Sequence, residues 1–240
     1  MADKQVKATE IPDVVARAKG FWEKYSKRIM IAGTVVILLG GGYFGYKYFY
    51  KLPKEQKASE LVFPAEKLFG KMAGTSSYNK DTVNIVLNGG NLGGSNVTGL
   101  LKIISNYSGT SSANRAEYMV GACYLQLKEF DKAIKHLKEF DGNGANQIQS
   151  KAYILLGHAY AEQKKTDDAL SYYKKAASVD EKDEGIATEA LFIAGMYAEA
   201  MGKTKDAIEI YQKIKDNYPA NQRVMMGEAD KYLARLGVIK

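Results

Sequence analysis

KAYILLGHAYAEQKKTDDALSYYKKA, residues 151–176, decides the fold, because the same pattern stands on either side of it. The preceding unit reads AEYMVGACYLQLKEFDKAIKHLKEF (116–140) and the following one EALFIAGMYAEAMGKTKDAIEIYQKIKDNYP (189–219). In each, a glycine stands twelve residues before an alanine: Gly121 and Ala133, Gly157 and Ala169, Gly195 and Ala207. A bulky residue follows the alanine by four, at Leu137, Tyr173 and Tyr211. Tyr124 and Tyr160 lie three past their glycines, whereas the third unit has Ala198 there with Tyr197 beside it. The spacing predicts a helical hairpin repeated three times. Small residues on both helices let the axes approach closely, and the bulky side chain fills the space beside the crossing.

With glycine-to-glycine spacings of 36 and 38, the pattern resembles the tetratricopeptide repeat with a slightly long period. Three such units are about the minimum for a stable stack, and the ends need caps. Val224, Met225, Ala229, Tyr232, Leu233 and Leu236 predict one amphipathic capping helix within 220–240. On the other side, Ala58, Leu61, Val62, Ala65, Leu68, Phe69 and Met72 form a helical stripe. Its expected partner is Val97, Leu100, Leu101, Ile104 and Tyr107, making 58–112 a degenerate hairpin. Pro64 predicts a kink or a late helix start. NGGNLGGSN (88–96) lacks the Lys-Ser/Thr and the preceding strand of a phosphate loop, so it reads as a mobile connection.

Before the repeats stands IMIAGTVVILLGGGYFGY (29–46), eighteen residues without a charge, between Lys27-Arg28 and Lys47. As a helix it would run roughly 27 Å, close to the ~30 Å hydrocarbon core of a bilayer. The alternative is a buried helix of a soluble protein, for which the run is long. Tyr43, Phe44, Tyr46, Tyr48, Phe49 and Tyr50, at and just past its end, form an aromatic girdle mixed with lysine, without a small-x-small cleavage site, so the expectation is an uncleaved anchor. The expected layout is an amphipathic tail (1–28), a transmembrane helix (29–50), a basic linker (51–57), the degenerate hairpin (58–112), three repeats (113–219) and the cap (220–240).

In the tail, Ile11, Val14, Val15, Ala18, Trp22, Tyr25 and Ile29 form one helical stripe. Pro12 suits its first turn and Asp13 its positive end. Trp22 and Tyr25 are placed for the headgroup region, unless the segment is an ordinary solvated extension. Gly41 and Gly45 make a G-x-x-x-G pair that permits close helix packing, though plain tolerance of glycine in a membrane span explains it equally. Five Lys/Arg lie within twenty residues before the span and four after it, a slight lean towards an internal N-terminus. The chain carries a net charge of +7, of which residues 1–57 supply +6. The folded domain is thus nearly neutral, a poor match to nucleic-acid binding.

No constellation points to catalysis, a metal or a cofactor. His136 and His158 have no Cys or carboxylate at ligand spacing. Cys123, the single cysteine, sits in an apolar helix as an inert core residue and leaves the redox compartment open. By resemblance to the repeat family, the concave positions are Arg115, Tyr118, Ala122, Lys151, Ile154, His158, Glu189, Phe192, Met196 and Glu199. They would offer an amphipathic helix or an extended peptide an adaptable surface, unless the chain's own flanking helix fills it. The Lys/Asn/Arg clamp of chaperone-tail readers is not found at these positions.

Tail, anchor and repeats together resemble the YfgM-like ancillary-translocon tetratricopeptide family of bacterial inner membranes, in its Bacteroidetes-type form. GLLKIISNYSGTSSANRAEYMVGACYLQLKEFDKAIKHLKEF, LSYYKKA, IYQKIKDNYP and KYLARL carry the resemblance. It implies a non-enzymatic, single-pass protein of the inner membrane, with a cytoplasmic N-terminus and a periplasmic repeat domain. Its implied partners are the SecYEG translocon, a PpiD-like periplasmic chaperone and emerging secretory polypeptides, besides membrane lipid. An envelope scaffold for cell-wall, motility or outer-membrane assembly would need the same features.

Overall fold

The computed structural model describes residues 10–73, 79–92 and 94–238. The first nine residues of the expected tail, and the side chains of Ile11, Pro12 and Asp13, lie outside the described residues. The chain divides into two compact units, Met1–Lys54 and Glu55–Lys240.

In the first unit, helix α1 (Glu10–Gly45) passes into a π-helical turn, Tyr46–Lys51. The wide turn ends where the Leu52 amide donates to the Lys47 carbonyl. Pro53 follows, and a wider turn lets its ring clear the carbonyl four residues back. The apolar side chains of α1 point outward: Val36, Ile37, Leu38 and Leu39 are 68–73% exposed. By length and composition, one helix near the N-terminus can cross a membrane, and none of its most apolar window is buried. The expected linker at 51–57 is instead helical from Leu52, where α2 (Leu52–Ala73) begins. Lys, Glu, Gln and Ala are good helix formers, and Pro53 fits a first turn.

The second unit opens within α2, and the helix runs through Pro64 rather than starting late. Without an amide hydrogen, Pro64 leaves the Glu60 carbonyl without its helical donor, and Glu60 lies exposed to water. Next come α3 (Lys80–Asn88), strands β1 (Gly89–Leu92) and β2 (Ser95–Thr98), and α4 (Leu100–Asn106). The Asn79 carboxamide starts α3 by accepting from the Asp81 amide at 2.8 Å. The glycine-rich stretch expected as a mobile connection is thus a paired antiparallel hairpin, with Gly89 opposite Thr98 and Leu92 opposite Ser95. Gly89 and Gly94 take φ of 87° and 82°, and no other residue type does so freely. Among the described residues, the expected two-helix arrangement over 58–112 is therefore three helices and a hairpin.

The repeats follow as α5 (Ser111–Gln126) with α6 (Phe130–Glu139), α7 (Asn146–Glu162) with α8 (Thr166–Ala177), and α9 (Glu184–Ala200) with α10 (Thr204–Asn217). Each hairpin turns the same way. Lys128, Lys164 and Gly202, seven past the three glycines, adopt left-handed φ of 61°, 60° and 71°. The next amide in each donates back to Tyr124, Tyr160 or Ala198, at 2.9, 3.0 and 2.8 Å. This closes each helix end as a Schellman-type cap. At the crossings, a Cβ added to Gly121 would lie 2.5 Å from Leu137 Cγ, and one added to Gly195 would lie 2.6 Å from Tyr211 Cε1. Tyr173 and Tyr211 are buried, each such side chain contributing about 1.5–3 kcal/mol.

The C-terminal end differs from the single capping helix expected. It is two short helices, α11 (Gln222–Met225) and α12 (Glu228–Arg235). Gly227, at φ 75°, breaks them apart, and the break lets α12 lay Leu233 into the core of the third hairpin.

Candidate functional site

The repeat stack places a cavity of about 930 Å³ at its N-terminal end. Its walls are the second half of α2, the turn between α4 and α5, α5 itself, and the turn between α6 and α7. Two contacts fix α2 as a wall. The Glu55 carboxylate accepts from the amides of Ser111 and Ser112 at 2.9 and 3.2 Å, which caps the start of α5 from outside. An acidic group there also meets the positive end of that helix. Further along, Glu66 Oε1 accepts from Arg115 Nε at 2.9 Å.

The floor is aromatic. Tyr118 stands between Phe69 of α2 and Phe140 at the end of α6, with ring centroids 6.4 and 5.4 Å away. Burial pushes the Tyr118 phenol above its ordinary range. Met119, Ile104 and Ile148 extend the apolar lining. Among the described residues the rim is acidic, with Glu66, Glu117, Glu139 and Asp141 against one cation, Arg115. Asn114 closes one corner, donating to the Asp141 carbonyl at 2.7 Å and accepting from the Asp141 amide at 2.9 Å.

Of the ten positions expected to form a continuous groove, Arg115 and Tyr118 line this cavity. Ala122 is half-buried, while Lys151 and Glu189 are exposed. Ile154 is 8% exposed. His158 is half-buried, with Nδ1 2.8 Å from the Tyr173 hydroxyl. Burial lowers the His158 pKa, and Glu162 offsets part of the effect.

The remaining three meet the C-terminal helices. Phe192 has no exposed surface. The Arg223 guanidinium covers its ring at 3.9 Å, and Tyr232 packs at 6.1 Å. The Tyr232 hydroxyl reaches Met196 Sδ at 3.3 Å, and Arg235 donates to Glu199 at 2.6 Å. Over the third hairpin, then, the chain's own cap occupies the surface. Phe69, Phe140 and Ile148 were not among the expected site residues. Phe69 belonged to a recognised stripe and Phe140 closes a recognised repeat, but nothing local joins them.

The residues expected at a membrane, Trp22, Tyr25, Gly41 and Gly45, lie in the first unit. Trp22 is 56% exposed. Tyr25 packs on Phe21 at 4.9 Å, with Lys24 over its ring at 5.4 Å. Gly41 and Gly45 face open space, with nothing within 4 Å of an added Cβ. Among the described residues, no group of three or more His, Cys, Asp or Glu side chains could hold a metal ion.

A TPR repeat-containing protein of Methanocaldococcus jannaschii is 29% identical over 97 residues, which is 39% of this chain. The chain spans 30% of that relative's length. Residues 19–228 match the tetratricopeptide repeat-like domain family. With most of its length matched and its three hairpins in place, the chain belongs to the tetratricopeptide repeat-like domain family.

Proposed function

We propose that this protein is a membrane-anchored interaction scaffold: an ancillary subunit of the SecYEG translocon that holds a PpiD-like chaperone, or an emerging chain, beside the channel. One observation carries the anchored-scaffold reading: a helix with no buried residue in its most apolar window shares a chain with a tetratricopeptide-type stack. Repeats of this type bind proteins by shape, and an exposed apolar helix needs lipid or a partner to cover it. The translocon and chaperone are supported by the resemblance of the whole layout to the YfgM-like family. In this reading the N-terminus is cytoplasmic and the repeats are periplasmic. The protein works by recognition rather than catalysis, and it engages neither metal, cofactor nor nucleic acid. Affinity purification of the full chain from detergent-solubilised membranes tests it. Enrichment of channel subunits or a periplasmic chaperone is expected, and enrichment of neither would overturn it.

A further inference from the structure

Resting on the scaffold reading, we propose that the cavity between α2 and the first repeat docks a segment of a partner protein carrying lysine or arginine among apolar side chains. The argument is one of complementary charge over an apolar floor. Phe69, Tyr118 and Phe140 line the cavity as packed rings. Such a floor takes apolar side chains, and it also attracts a cation held near a ring face.

The rim sets the sign of the partner. Arg115, the one cation lining the cavity among the described residues, is engaged by Glu66 at 2.9 Å. Glu117 faces His136 at 2.6 Å. Glu139 and Asp141 are exposed, and neither carboxylate forms an ion pair among the described residues. A basic segment gains both carboxylates, whereas an acidic one is repelled by them.

Place in the fold supports the same assignment. One wall is α2, which lies outside the three repeats, so this chemistry belongs to the N-terminal end alone. At the other end, Arg223, Tyr232 and Arg235 already cover Phe192, Met196 and Glu199.

The test uses the full chain in nanodiscs of phosphatidylcholine, whose net charge is zero, with empty discs as the blank. Two fluorescent peptides of equal length serve as probes, one of alternating Leu and Lys, the other of alternating Leu and Glu. The Leu/Lys peptide should bind saturably, about tenfold or more tighter than the Leu/Glu peptide, and weaken as salt rises. Glu139→Lys combined with Asp141→Lys should cost about tenfold or more of that affinity, and both positions are exposed enough to leave folding intact. Tyr118→Ala should abolish binding and Tyr118→Phe retain it. Equal affinity for the two peptides, or an unaffected charge-reversal variant, would overturn the proposal. So would a dimer by mass photometry that Tyr118→Ala disperses, since a second copy would then be the occupant. Failure here leaves co-purification of channel or chaperone untouched, so the scaffold reading stands or falls separately.

Discussion

The Tyr173 ring lies where a side chain at Gly157 would have to go: a Cβ added to Gly157 would sit 2.5 Å from Tyr173 Cδ1. The same relationship joins Gly121 to Leu137 and Gly195 to Tyr211. The glycines are therefore a steric requirement of the hairpin crossing. Gly157→Ala should overpack the crossing and cost about 1–3 kcal/mol. Gly70→Ala, at an exposed position of α2 with nothing within 4 Å of an added Cβ, should go the other way. It should gain up to about 1 kcal/mol from helix propensity. Denaturation midpoints followed by circular dichroism check both signs.

His158 gives the fold an acid-sensitive contact. Its pKa is lowered from the ordinary 6.5, first by burial, with Glu162 opposing. As pH falls through 6.5 the unfolded chain takes up a proton more readily than the folded His158, which lies against the Tyr173 hydroxyl. Its contribution is thus full above that pH and shrinks as pH falls through it. His158→Gln should flatten the loss of stability in that window, read as thermal midpoint against pH. A slope equal to that of the parent protein would contradict this.

The cap depends on Tyr232, which stacks on Tyr211 with centroids 4.6 Å apart and packs against Phe192. Tyr232→Ala should cost about 2 kcal/mol or more, since it removes ring packing and opens the Phe192 site. Hydrogen exchange should speed up in α9 and α10 and stay unchanged in α5 and α6.

Cys123 has no exposed surface, and burial pushes its thiol up to about 12. The folded protein should resist maleimide at neutral pH, and labelling should appear only across the unfolding transition. Rapid labelling of the native chain would contradict the core placement.

What the sequence displays is what repeats in it. The Gly–Ala–bulky ladder is written three times at nearly constant spacing, so crossing, turn and order of hairpins follow from local periodicity. The helical stripe of α2 is legible for the same reason, through Ala58, Val62 and Ala65. What stays hidden depends on residues far apart in the chain. Phe69 meets Tyr118 and Phe192 meets Arg223 only after the helices stack, so a cavity at one end and a covered surface at the other replace a uniform groove. The hairpin at Gly89 is hidden differently. Glycine-rich sequence carries little strand propensity, and pairing there is set by the left-handed backbone of Gly89 and Gly94. Gly227 splits the cap because a left-handed residue cannot sit inside one helix.

The claim that the rest leans on is that residues 29–46 hold the repeat stack at a bilayer. Alkaline carbonate extraction of cell membranes, followed by ultracentrifugation and immunoblotting of the intact chain, tests it most directly. The account predicts that the protein stays in the pellet, and that a chain lacking residues 29–46 moves to the supernatant. Recovery of the intact chain in the supernatant would contradict it.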